Sequence, residues 1–163
     1  MSKQTNYSYQ TKKGVAGGIF DIAPYSIDSR INGESAAGTL KYGMGAMHGA
    51  TPGVDVKVPV TADTAVKFEG LVLNGYLNEM DMDGAIKIAP LQTVGIMRYG
   101  KAWARVSEEA EPTYGAALYL IKTGSEAGLF TTESTGNLAI NGKFIGTFGT
   151  GNIAPVEIYN QKA

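Results

Sequence analysis

The stretch from Tyr114 to Phe148, YGAALYLIKTGSEAGLFTTESTGNLAINGKFIGTF, limits what this chain can fold into. Four short apolar runs (Ala117 to Ile121, Leu129 to Thr132, Leu138 to Ile140, Phe144 to Phe148) are separated by Gly-rich polar residues. Turn residues at that spacing suit successive antiparallel strands, because helices need longer uninterrupted segments. The stretch reads as a β-meander. Upstream, Val54, Val56, Val58 and Val60 alternate with Asp55, Lys57 and Pro59, the period of a half-buried strand, with Pro59 placing it at an edge or a strand end. Ala65 to Leu73 continues the β pattern, interrupted at Glu69-Gly70 as a bulge would interrupt it. GAIKIAP, TVGIMRYG and KAWARV supply three more short strands, and Ile153 to Tyr159 returns to the sheet. Only Ser107 to Glu111 has helical character, and it is too short to be more than a turn. The fold class is therefore mainly β: one compact antiparallel β-barrel or β-sandwich-like domain with an extended N-terminal arm and little helix.

The expected division is an arm at residues 1–18 and a β-rich domain at 19–163, irregular over 19–53 and a β-meander core over 54–163. The arm is polar, with Tyr7 and Tyr9 as its only large apolar groups over the first fourteen residues. Ordering a residue costs on the order of 1 to 2 kcal/mol, so such a segment orders only against something else. Tyr7 and Tyr9 would share one face if the arm added as a strand to another chain. Lys3, Lys12 and Lys13 make the first twenty residues basic, and no acid accompanies them, although the whole chain has a net charge of −1. That small total argues for neither nucleic acid nor an anionic membrane as a partner.

The 163 residues suit one domain without staples, and there are no cysteines, which excludes disulfides, Cys-ligated metals and thiol nucleophiles. No segment reaches the eighteen or more apolar residues of a membrane helix, and the N-terminus lacks the apolar core of a signal peptide.

Candidate chemistry fails residue by residue. His48 is the sole histidine and has no second ligand or triad partner nearby in sequence. Gly136 and Gly142 enclose five residues rather than the four of a phosphate loop, and Phe144 stands where Ser or Thr would bind magnesium. GTFGTG at 146–151 has the wrong register for a dinucleotide fingerprint. Glu79, Asp81, Asp83 and Gly84 match positions one, three, five and six of a calcium loop, but Pro90 occupies position twelve, where a bidentate Glu is required. A hairpin turn at Asp83-Gly84 explains them better. Glu108, Glu109 and Glu111 sit in a solvated turn with nothing to raise a pKa for acid catalysis. No catalytic, cofactor-binding or metal residue is assigned, and no enzyme is expected.

The contact candidates are Tyr7, Tyr9, Lys12 and Lys13 on the arm, with Met44, Met47 and Trp103 beyond it. Met44 and Met47 lie in GMGAM, where adaptable thioethers fill gaps in a core or an interface. Trp103 opposes Ala102 and Ala104 in KAWARV, which puts it on the outer face beside Arg105, either as a contact hot spot or covered within the subunit. Asp21 and Arg30 are a candidate ion pair fixing the irregular segment.

The chain resembles the capsid decoration, or structural cement, proteins of tailed bacteriophages. The residues that carry the resemblance are Gly14-Val15-Ala16-Gly17-Gly18-Ile19-Phe20-Asp21, Ser29-Arg30, Tyr42-Gly43-Met44-Gly45-Ala46, Tyr114-Gly115-Ala116-Ala117-Leu118-Tyr119, Gly128-Leu129-Phe130-Thr131, Ile145-Gly146-Thr147-Phe148 and Val156-Glu157-Ile158. Ala116 stands where related sequences often have an acidic residue. The resemblance implies a β-rich virion protein, made in the host cytoplasm, that binds the outside of the head. Its partners would be the major capsid protein and copies of itself, with a trimer favoured, and it would stabilise the shell against internal DNA pressure without an active site, cofactor, membrane or direct nucleic-acid contact. The alternatives are a tail-tube or head–tail component and, further off, a carbohydrate-binding β-domain using Trp103, Tyr99 and Tyr114.

Overall fold

A computed structural model describes residues 14–75, 86–149 and 151–159. Nine strands are present among them: β1 (Ser26–Asn32), β2 (Gly45–His48), β3 (Asp55–Lys57), β4 (Phe68–Val72), β5 (Thr93–Arg105), β6 (Ala117–Leu120), β7 (Phe130–Thr131), β8 (Leu138–Phe144) and β9 (Ile153–Ile158). One 3-10 turn, Ala65–Lys67, precedes β4. The chain is mainly β, as its sequence pattern indicates.

The strands run in the order β1-β3-β2-β4-β5-β9-β8-β6-β7, and β1 also pairs with β5. The last pairing closes the first five strands into a barrel. β5 belongs to both halves: its first part pairs with β1 and β4, and Gly100 to Arg105 pairs with β9. TVGIMRYG and KAWARV are therefore one thirteen-residue strand rather than two. At the junction Gly100 has φ 134°, and a Cβ there would stand 2.7 Å from Tyr25 Cβ. Only glycine lets β5 pass from one sheet to the other at this approach.

Closure produces two cores. Leu40, Ala46, Val56, Val72, Ile88, Val94 and Ile96 fill the barrel. Met47, Phe68, Leu71 and Met97 look outward from it onto Leu118, Leu120, Phe130, Phe144, Val156 and Ile158 of the second sheet. Phe68 meets Phe130 edge to face, with centroids 6.4 Å apart.

The bulge expected at Glu69-Gly70 is present: Ala46 pairs with Gly70 and Met47 with Phe68, leaving Glu69 as the extra residue. Other expectations are corrected. Residues 19–53 are not simply irregular, since β1 and β2 lie there. Val54 to Val60 is not an edge strand: only Asp55–Lys57 is a strand, and it is paired on one side with β1 and on the other with β2. Val56 is buried, while Val54 and Val60 are exposed. GAIKIAP forms no strand over its described residues beyond a bridge at Ile86. Tyr114 to Phe148 is not a sequential meander, because β6 lies between β7 and β8. Leu138–Phe144 is one continuous strand, so Asn141-Gly142-Lys143 is strand interior and not a turn.

Candidate interaction surface

The segment from Gly14 to Phe20 forms a short strap along the free side of β5. Gly17 N–H donates to Trp103 O (2.8 Å), Trp103 N–H to Gly18 O (2.8 Å) and Phe20 N–H to Lys101 O (2.9 Å). Ile19 and Ala102 form the antiparallel bridge between them. Gly17, at φ 76°, also accepts from Asn74 N–H (2.8 Å), and a Cβ there would lie 2.6 Å from that nitrogen. Glycine at 17 thus lets the strap backbone lie between β5 and the segment that follows β4.

Trp103 is half-buried beneath this strap. Phe20 packs on its ring at 5.5 Å between centroids and 51° between planes. Gly14 leaves no room for a Cβ against the indole, and a Cβ on Gly149 would come within 3.2 Å of its far edge. Of the two readings left open by the sequence, coverage within the subunit describes most of this side chain. Asp21 Oδ2, 3.0 Å from Lys101 Nζ, fastens the strap as it turns away. The lysine's hydrogen bond, helped by Ala23 N–H, holds the Asp21 carboxyl below its ordinary value, and Asp21 raises Lys101 in turn. Asp21 therefore pairs with Lys101 and not with Arg30.

The strap and the adjoining starts of the barrel strands carry exposed apolar side chains. Val15, Ile19, Phe20, Ile22, Tyr25, Ile27 and Tyr99 are all exposed, and Ile22 is fully so (101%). The charges that flank Trp103 on its strand are compensated locally: Lys101 is paired with Asp21, and Arg105 donates from Nε to Tyr42 O (2.8 Å). Exposed apolar side chains beside ions that are already paired are chemistry for covering by another macromolecule, not for binding a small charged ligand.

Arg30 serves the barrel. Asp28 and Arg30 lie opposite Ile96 and Val94, two residues of the barrel core, so their face of β1 turns inward. Glu69, 3% exposed, receives Arg30 Nε (2.9 Å) and Nη2 (2.6 Å) on one oxygen and stands 2.6 Å from His48 Nε2 with the other. The lone histidine is structural: it shares a buried carboxylate with an arginine. Sequence reading missed this cluster because its members are 39 and 21 residues apart and meet only when the barrel closes.

The remaining contact candidates separate clearly. Met47 is fully buried between the two sheets and Met44 is 5% exposed, so both fill space inside the subunit. Tyr7, Tyr9, Lys12 and Lys13 lie outside the described residues, as do Glu79, Asp81, Asp83 and Gly84 of the calcium-loop match. Among the described residues no group of three His, Cys, Asp or Glu side chains is placed to hold a metal. The three aromatics of a sugar platform have different neighbours: Trp103 lies under Phe20, Tyr99 pairs with Ser26, and Tyr114 has Lys143 Nζ 5.8 Å from its ring centre. A cleft of about 460 Å³, lined in part by Leu40, Tyr42, Ile88, Lys41, Lys87 and Arg105, opens beside the barrel.

Comparison with known proteins agrees with this picture of a binding body. No curated protein matches the sequence. The fold is shared with a chain from the structure described as "The capsid of Myoviridae Phage XM1", at a TM-score of 0.72 and 18% identity, covering 99% of each chain. A family model described as "Structural cement protein (E217 gp24/Pam3 gp6)" matches residues 3–159. The chain belongs to the phage structural cement protein family.

Proposed function

We propose that this protein stabilises a phage capsid by binding coat-protein subunits through the apolar surface around the Gly14–Phe20 strap. Membership of the cement family supplies the class of role. The observation that carries the residue-level reading is the exposure of Val15, Ile19, Phe20 and Ile22 on a segment fixed to β5 by main-chain hydrogen bonds. A cement needs area and shape rather than reactive groups, and apolar side chains on a fixed backbone lose little entropy when covered.

In this reading the protein sits on the outer surface of the head after synthesis in the host cytoplasm. Residues 1–18 contact the coat protein or an adjacent copy, with Tyr7, Tyr9, Lys12 and Lys13 as contacts, and copies gather as homo-oligomers, trimers for preference. Trp103 supports the contact from beneath. The role is non-enzymatic.

The test is binding to heads that lack the protein. Val15→Asp with Ile22→Asp, at the two most exposed apolar positions of the segment, should leave the far-ultraviolet spectrum and cooperative melting intact while occupancy on heads falls at least tenfold. Wild-type occupancy by the double variant would remove the strap from the contact. Polymerisation of the purified protein into tubes, without addition to heads, would favour a tail component instead.

A further inference from the structure

We infer that Asn74 is a site of spontaneous covalent modification: the main-chain nitrogen of Gly75 displaces ammonia from its side-chain amide, and water opens the resulting succinimide to aspartate or isoaspartate.

The sequence contains three Asn-Gly pairs, Asn32-Gly33, Asn74-Gly75 and Asn141-Gly142. Each has the required groups, an amide carbon that can lose ammonia and a following nitrogen that no Cβ shields. The nitrogen lone pair forms the bond to Cγ, the Cγ–Nδ2 bond breaks, and the glycine's amide proton leaves with the departing nitrogen as ammonia. Water then adds to either ring carbonyl and breaks its bond to the ring nitrogen. The balance is one amide and one water converted to one carboxylic acid and one ammonia. Ring closure requires the peptide unit between the two residues to rotate until its nitrogen faces Cγ, and the fold blocks that rotation at two of the three pairs.

At Asn32 both the side chain and the peptide unit are held. The fully buried side chain donates from Nδ2 to Ala89 O (2.9 Å) and accepts at Oδ1 from Glu34 N–H (3.1 Å). Asn32 O accepts from Leu91 N–H (2.9 Å) and Gly33 N–H donates to Val56 O (2.8 Å), which pins the peptide unit at each end. Asn141 is exposed, but it lies inside β8, where Gly142 pairs with Ile158 and Asn141 O accepts from Tyr159 N–H (2.8 Å). The ladder keeps that backbone extended and the Gly142 nitrogen away from Cγ.

Asn74 differs. It lies two residues beyond the end of β4, and both it and Gly75 are exposed. Its own N–H donates to Gly17 O (2.8 Å), a bond that does not involve the peptide unit that must rotate. Gly75 N–H makes no main-chain hydrogen bond with a described residue, and a Cβ placed on Gly75 would meet no described atom within 4 Å. Reaction puts a carboxylate where the strap is fastened beyond β4, and the isoaspartyl product adds a methylene to the main chain there.

The experiment incubates the purified full-length protein in mildly alkaline buffer, folded and in denaturing urea, and maps its peptides by electron-transfer mass spectrometry, which separates aspartate from isoaspartate. In the folded protein, conversion at residue 74 should run at least tenfold faster than at 32 or 141, whereas in urea the three pairs should react at similar rates. Gly75→Ala, whose methyl group the structure accommodates, should slow conversion at 74 at least tenfold. Conversion at 32 or 141 in the folded protein as fast as at 74 would overturn the inference. So would an unreacted Asn74 in folded protein after a time in which the urea-unfolded chain has converted, or an unchanged rate in Gly75→Ala.

Discussion

The ring of Phe20 lies 5.5 Å from that of Trp103, and this contact joins the strap to the strand that both halves of the molecule share. Trp103 is the sole tryptophan, so its fluorescence reports the strap directly. Removing residues 1–20 should shift its emission to longer wavelength, because the indole then faces water. Emission unchanged by the deletion would mean that the strap does not cover it.

Glu69 is the electrostatic centre of the barrel, taking Arg30 from β1 and His48 from β2 onto a carboxylate carried by β4. Taking away one member of a buried pair leaves its partner uncompensated, at about 3–5 kcal/mol. Glu69→Ala should therefore lower unfolding stability by that order in a urea melt. A loss below about 1 kcal/mol would show that water replaces the carboxylate.

Both features illustrate what could be read before the fold was known. β character, the Glu69 bulge and the return of β9 follow from local alternation and glycine placement, and each is present. Closure of β1 on β5 was not legible, because β1 has little apolar alternation and its pairing partner is some seventy residues away. The course of the strap along β5 selects Lys101 over Arg30 as the partner of Asp21, and packing of the second sheet on the barrel buries the Met47 that sequence alone left open between core and interface.

Asp63 gives the acid side of the stability profile a definite sign. Burial pushes its carboxyl up, but Val60 N–H at 2.9 Å, together with Lys57 and Lys67 at 3.5 Å, outweighs burial and holds it below its ordinary value. A folded-state pKa below the unfolded value of about 3.9 stabilises the protein above that pH, and the contribution is lost as pH falls through the folded value. Asp63→Asn should lower stability at neutral pH and flatten the decline below about pH 4. An acid limb as steep as that of wild type would assign the dependence to other carboxylates.

Gly70 occupies φ 150° at the bulge, where a Cβ would collide with the carbonyl oxygen of Met97. Gly70→Ala should destabilise by more than about 1 kcal/mol, since both the dihedral angle and the space reject a side chain. Melting at the wild-type temperature would show that β4 can slide away from β5.

A cement protein stabilises the shell that it binds, and the temperature at which a head loses its DNA reports that stability. The most direct measurement is the temperature of DNA release from heads lacking the protein, before and after saturation with purified wild-type protein. Binding should be saturable, and release should move to a higher temperature. Saturated heads that release DNA at the same temperature as bare ones would contradict it.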